Sequence, residues 1–425
     1  MQRSIFIILL VYGFIFGILF REIGGLPFGI FVEGFLILII IATIVSKPGF
    51  DAKSINNDLF YSLLIWFALS LLEVFNPEAS LLGWVAELRS IALYPFVMTW
   101  LGLVIFKTRK DLDLFLILII SLSVLATLNG IKQLFFGLSA GENAFLQANA
   151  ATHLLWGRLR VFSFFTDAGQ FGASQAHIGL IALILSFGKM KVWKRMALLA
   201  SSAFCIYGML ISGTRGALFA LLVGGVIAII LSKNLKAIFL GGATALALVS
   251  ILMFTHIGDN NYQIYRLRTA LNPEDASLNV RLINQNNLKN YMETRPFGGG
   301  LGSLGYNGVL YNGGTYLSTF PPDSLFVKIW AMYGVVGLTL WFCIMMFILG
   351  KCCGITWTIR DNGLRIKLIA LTSGFGGVLF CSYGNEVLNT MPTAIVVYLS
   401  WVFIYNARIM DKPIAEPEEL NYLTA

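Results

Sequence analysis

Apolar residues along this chain fall in unbroken blocks, not in the spacing of a one-sided helix or the alternation of a half-buried strand. The blocks lie at residues 4–20, 27–46, 59–75, 90–106, 114–128 and 170–187, and again at 196–212, 216–232, 237–255, 325–350, 368–383 and 393–405. Most are long enough to cross roughly 30 Å of hydrocarbon. A segment surrounded by lipid must satisfy its own backbone N–H and C=O groups, so each block is predicted to be a helix. The expected fold class is all-α, a polytopic integral membrane protein with about twelve transmembrane helices.

Two polar stretches interrupt the blocks, at 130–169 and 256–323. The predicted division is transmembrane helices one to nine over 1–255, including the segment 130–169, then one large loop over 256–323 between the ninth and tenth helices. Helices ten to twelve follow over 324–408, and a tail over 409–425. Loops of such length are usually functional or disordered. Aromatic content and local periodicity argue against disorder in the second. A helix is predicted there from 280 to about 293, capped by Ser277 or Asn279, with Val280, Ile283, Leu288, Tyr291 and Met292 as its apolar face. Arg295-Pro296 ends it. Phe297-Gly298-Gly299-Gly300-Leu301-Gly302 then reads as a turn that lets backbone come close to another group.

Composition agrees: 57% of residues are hydrophobic, 12% are charged and the mean hydropathy is +0.78, against about a quarter charged in a soluble domain. The net charge of +8 is unevenly placed. Basic residues collect in alternate connections, at Lys47 and Lys53; Lys107, Arg109 and Lys110; Lys189, Lys191, Lys194 and Arg195; Lys233 and Lys236; and Lys351, Arg360, Arg365 and Lys367. Arg3, Arg408 and Lys412 mark both termini, while the other connections are long or carry Glu78, Glu87 and Glu386. Short basic loops stay in the cytoplasm, so both termini are expected inside and both long segments outside. No basic stripe is interleaved with aromatics, which excludes nucleic acid as the expected partner and leaves membrane lipid. No small-residue cleavage site follows the first block, so it is expected to be a retained helix and not a signal peptide. Cys205, Cys343, Cys352, Cys353 and Cys381 all avoid the large loop, so no disulfide framework is predicted. His153, His177 and His256 are scattered, and no metal or cofactor is expected.

Four positions stand out as candidate chemistry. Arg215 lies in Ile211-Ser212-Gly213-Thr214-Arg215-Gly216-Ala217, between two adjacent blocks at the outer face. It is either a snorkelling anchor or a guanidinium given room by small neighbours to grip an anion bidentately. Arg281 is placed in the first turn of the loop helix, where the dipole disfavours a cation by about 0.3–1 kcal/mol unless an anion is bound; an ordinary solvated arginine is the alternative. Arg160, ahead of Val161-Phe162-Ser163-Phe164, flanks a membrane-entering helix or joins the other two. Asp323, in Thr319-Phe320-Pro321-Pro322-Asp323-Ser324-Leu325, is either an N-cap or a carboxylate that accepts a proton from a hydroxyl nucleophile.

The order of these features is specific. The Ser-Gly-Thr-Arg-Gly turn precedes a large outer loop containing Asn279-Val280-Arg281-Leu282 and the segment from Arg295 to Gly302. Trp330-Ala331-Met332-Tyr333-Gly334-Val335-Val336-Gly337 follows. Over about residues 160–337 the chain resembles the bacterial O-antigen ligase and O-antigen polymerase superfamily. The resemblance implies a GT-C-type glycosyltransferase of the inner membrane, metal-independent and inverting, with its active site facing the periplasm. It would move a glycan from an undecaprenyl-pyrophosphate carrier to lipid A-core sugar or to a growing polymer, in O-antigen or exopolysaccharide biosynthesis. By the same resemblance Arg215 and Arg281 hold the pyrophosphate, and Arg160, Arg295, Gly299 and Gly300 bind substrate. Many members carry a histidine before the helix after the large loop. Here Asp323-Ser324 stands there, which makes Asp323 the expected catalytic base and leaves ligase and polymerase both open. The rival class is a transporter or flippase for polysaccharide or lipid-linked glycan. Carriers typically show internal repeats and charge near the bilayer midplane, whereas charge here collects at the outer end.

Overall fold

The structure is a computed structural model that describes residues 1–24, 28–46, 56–256, 262–269, 276–321 and 324–411. Asp323, Lys47, Lys53, Lys412 and the tail beyond residue 411 lie outside the described residues.

The chain opens with α1 (Gln2–Ile23) packed on α2 (Ile30–Ser46), followed by α3 (Asp58–Leu72). Next, α4 (Leu81–Leu88) runs through a five-residue π turn at Arg89–Leu93 into α5 (Tyr94–Ile105). The register changes just before Pro95, which has no N–H to continue an α ladder. A long α6 (Arg109–Phe135) starts in a capping box made by Thr108 and Asp111. The first polar segment is itself structured: α7 (Ala140–Ala148), α8 (Ala150–His153) and an antiparallel hairpin of β1 (Leu154–Leu155) and β2 (Arg158–Leu159). Then come α9 (Ala168–Ser186), α10 (Val192–Ile211), α11 (Gly216–Leu231) and α12 (Leu235–Phe254). Among its described residues the large polar loop carries α13 (Tyr262–Thr269), α14 (Ala276–Met292) and α15 (Gly305–Tyr311), with turns between the last two. The chain ends in α16 (Leu325–Thr358), α17 (Asn362–Cys381), α18 (Thr393–Tyr405) and the short α19 (Ala407–Met410).

The protein is thus all-α and polytopic, with one two-residue-per-strand hairpin among the described residues. Eight described helical spans are long and apolar enough to cross a membrane, and α2, α11 and α18 are shorter apolar helices. Every apolar block read in the sequence coincides with a helix. Outward-facing Ile37, Leu38 and Ile41 of α2, Ile117 and Leu125 of α6, and Val226 and Ile230 of α11 suit hydrocarbon and not water.

The interior is built on α9, which is buried along almost its whole length between α10, α11 and α17. Small residues permit this. A Cβ on Gly377 of α17 would lie 2.3 Å from the Ala220 carbonyl oxygen of α11, so those two backbones touch. At one end of the bundle Arg3 meets Asp111, and Arg109 bonds both Asp361 Oδ2 (2.9 Å) and the Met410 carbonyl (2.8 Å), gathering several basic connections on one side.

Two expectations change. The loop helix begins at Ala276 and not at 280, so Ser277 and Asn279 lie inside it and Arg281 sits in its second turn. The dipole argument for Arg281 therefore weakens, because that effect fades beyond the first turn. The cap of α16 is Ser324, whose Oγ accepts from the Val327 amide at 3.5 Å, which removes the N-cap reading of Asp323.

Candidate functional site

The turn between α10 and α11 is fixed from within. Ser212 Oγ donates to the Met209 carbonyl (2.6 Å) and accepts from the Thr214 amide (3.1 Å), while Thr214 Oγ1 donates to the Ala168 carbonyl (2.9 Å) at the head of α9. Gly213 takes a φ of 59°, a conformation that favours glycine. The turn leaves the last carbonyls of α10, its partially negative end, without helical partners. Two arginines answer them. Arg160 Nε donates to the Ser212 carbonyl (3.2 Å), and Arg266 Nε donates to the Gly213 carbonyl. Arg160 also reaches the Thr152 carbonyl (2.9 Å) and Thr214 Oγ1 (3.3 Å). Arg266, on α13, is buried beside the Trp156 ring.

Arg215 follows directly at the N-terminus of α11, with Nη1 donating to Thr269 Oγ1 (3.3 Å). Arg281 arrives from α14. A Cβ built on Gly384 would lie 3.7 Å from Arg281 Nη1 and 4.0 Å from the Gly216 Cα, which places this guanidinium at the head of α11. Among the described residues Arg281 makes no hydrogen bond or ion pair. The Asn385 amide lies between the heads of α9 and α11, against Gly169 and Gly216. Leu325 N donates to the Ser382 carbonyl (3.0 Å), which brings the start of α16 to the same turn. Three helix N-termini and four arginines therefore converge. Both features favour a phosphate-type anion, and guanidinium groups can hold it bidentately.

The segment carrying Arg160 is held from behind. Arg21 of α1 donates to the Ser163 and Phe165 carbonyls and stacks over the Phe145 and Phe162 rings, at 5.4 and 4.9 Å. Asp167 caps α9, with Oδ1 accepting from the Gly169 (2.6 Å) and Gln170 (3.2 Å) amides. His153 Nε2 accepts from the Ala168 amide (3.3 Å), which is the neutral imidazole's role, although Asp167 Oδ2 lies 3.5 Å away. Burial, above all, holds the His153 pKa below the ordinary histidine value. Asp167 works against that shift and Arg160 adds to it.

Residues 200–342 match the family profile described as O-antigen ligase. The match spans about a third of the chain, and over that segment the chain is similar to O-antigen ligases. The matched segment carries Arg215, Arg266 and Arg281, while Arg160 and the 384–386 turn lie outside it and meet it in space. No curated protein matches the chain in sequence.

The sequence-predicted residues part company. Arg160, Arg215 and Arg281 come together. Arg295 does not: it stands beyond the far end of α14, about 20 Å along that helix from Arg281, where Nε pairs with Glu78 Oε1 (2.8 Å) and the guanidinium lies over the Tyr291 ring. Gly299 and Gly300 are buried, and their amides donate to the Ala331 and Met332 carbonyls of α16, both at 2.9 Å. Gly334, at φ 68°, opens α16 at that point and frees those carbonyls. The glycine turn thus packs its backbone directly on this helix. Among the described residues no three His, Cys, Asp or Glu side chains come together as metal ligands. Arg266 and Asn385 were missed in sequence. Arg266-Leu267-Arg268 after the ninth block was the available signal for the first, while nothing local distinguishes Asn385.

Proposed function

We propose that this protein is an inverting glycosyltransferase. It passes a glycan from an undecaprenyl-pyrophosphate carrier to a saccharide acceptor, lipid A-core sugar or a growing polymer, at the periplasmic face of the bacterial inner membrane. The observation that carries this reading is the convergence of Arg215 and Arg281 at the head of α11, inside the O-antigen ligase segment. Lipid pyrophosphate is already a good leaving group. As the bond from the anomeric carbon to phosphate oxygen breaks, guanidinium groups held in place beforehand stabilise the growing charge without a metal ion. Arg160 and Arg266 support the same pocket through the Ser212 and Gly213 carbonyls. The acceptor hydroxyl attacks the opposite face of the sugar and gives its proton to a carboxylate, the role proposed for Asp323.

The same reading places about twelve crossings with both termini in the cytoplasm and residues 256–323 outside, from the alternation of basic connections. A reporter fused after Lys194 should read cytoplasmic and one after Gly313 external. The opposite result at both sites removes the placement. Reconstitution with carrier-linked glycan and acceptor tests the chemistry. Covalent transfer is expected, and translocation without transfer assigns the protein to the transporters instead.

A further inference from the structure

Beside the arginines lies a second charged group that the donor chemistry does not use. Glu386 follows Asn385, whose amide sits between the heads of α9 and α11, and comes two residues after Gly384, the neighbour of Arg281. Lys328, one turn into α16, bonds Glu386 Oε1 at 2.5 Å and Glu87 Oε1 at 2.8 Å. Glu87 Oε2 accepts from Asn307 Nδ2 at 2.7 Å. One ammonium between two carboxylates leaves one negative charge over. Glu87 is sealed, with 3% of its side chain exposed, whereas Glu386 is 22% exposed. Among the described residues nothing pairs with Glu386 Oε2. The carboxylate is thus fixed through one oxygen by a buried lysine on a rigid helix, and its other oxygen is open.

An ionised carboxylate accepts hydrogen bonds and donates none, so it suits hydroxyl groups and repels pyrophosphate. Two substrates must meet here, one anionic and one rich in hydroxyls. Resting on the function proposed above, we infer that Glu386 positions the acceptor. Its Oε2 takes the hydrogen bond of an acceptor-sugar hydroxyl, Lys328 holds the carboxylate in place, and the arginines hold the donor.

The test is initial-rate transfer by the full-length protein in proteoliposomes. Carrier-linked glycan from the source bacterium serves as donor, and rough lipopolysaccharide or excess carrier-linked glycan as acceptor, with donor binding measured separately. Glu386→Ala should raise the acceptor KM by roughly ten- to hundredfold, the loss of a charge-assisted hydrogen bond, with donor binding unchanged. Glu386→Asp, which keeps the charge, should fall between. Glu386→Gln keeps the shape and leaves Lys328 paired one-to-one with Glu87, so it carries the test if the alanine variant does not fold. An unchanged acceptor KM, or donor binding that weakens in step with it, overturns the inference. The wild type and Arg215→Ala serve as the controls for the function itself. If the wild type itself transfers no glycan the glycosyltransferase reading fails, and normal transfer by Arg215→Ala removes only the role given to that arginine. If the wild type transfers and Arg215→Ala does not while Glu386 variants keep a normal acceptor KM, only the present inference fails.

Discussion

The turn at residues 212–216 and the loop at residues 296–302 both contain glycine and both join helical segments; in the sequence the first reads as room for the Arg215 guanidinium and the second as a place where backbone approaches a partner. They resolve in opposite ways. In the turn the carbonyls of Ser212 and Gly213 take up Arg160 and Arg266, and Arg215 and Arg281 gather at the head of the next helix. In the loop the amides of Gly299 and Gly300 satisfy two carbonyls of α16 that Gly334 has released. Buried backbone groups must find partners. The first region closes with side chains that also suit an anion, and the second closes on the protein itself. A run of glycines announces close approach; it does not say to what.

The largest effect should separate the two regions by activity. Arg215→Ala and Arg281→Ala are expected to cut glycan transfer by on the order of a hundred- to thousandfold, with folded yield unchanged. Lysine should rescue poorly, because a point charge cannot reproduce the guanidinium fork. Normal transfer in Arg215→Ala, followed with labelled glycan, would break the comparison outright.

Next comes Asp323→Asn. With Ser324 as the cap of α16, the substitution should leave folding intact and lower turnover by about a hundredfold, the scale of general base catalysis. Full activity would move the proton acceptor elsewhere, with His256 the next residue to examine.

Gly302→Ala probes the other region through stability. Gly302 has a φ of 77°, and a Cβ there would lie 2.3 Å from the Gly83 carbonyl carbon and oxygen. The left-handed backbone and the overpacking together should cost about 2–5 kcal/mol, read as a lower melting temperature in detergent. Turnover per folded molecule should change little. A catalytic defect at normal stability would instead make the loop part of the site.

The smallest effect concerns the support behind Arg160. The pKa of His153 is depressed in the fold, chiefly by burial, so the unfolded chain binds its proton more readily. Stability from this residue is therefore full above the unfolded value of about 6.5 and declines as pH falls through it towards the folded pKa. The melting temperature of the wild type should drop over that window more than that of His153→Asn. Parallel curves would show that the histidine does not titrate against folding.

Much of this was legible in the chain. Twelve apolar blocks gave the helices, because only a helix satisfies backbone polar groups within one continuous stretch of lipid-facing chain. Arg215 was legible because a charged residue flanked by small ones at a membrane boundary is costly without a purpose, and Arg281 because its neighbours fit a family pattern. The start of α14 was misjudged because Ser277 and Asn279 are plausible caps, yet they are also tolerated inside a helix. The docking of Gly299 and Gly300 on α16 is not legible, because a released carbonyl on α16 leaves no mark in the sequence near residue 300.

By itself, then, the sequence determined what depends on neighbours along the chain: the helical blocks, the basic connections between them and the turn that carries Arg215. Tertiary structure alone decided which distant residues share a space. It brought Arg160, Arg266, Arg281 and Asn385 to one turn, sent Arg295 to Glu78, and clamped Glu386 with a lysine from α16. The physical reason is that helix formation is a local balance of backbone hydrogen bonds and hydropathy. Where guanidinium and carboxylate groups finally lie depends instead on unpaired carbonyls and opposite charges presented by segments far apart in sequence.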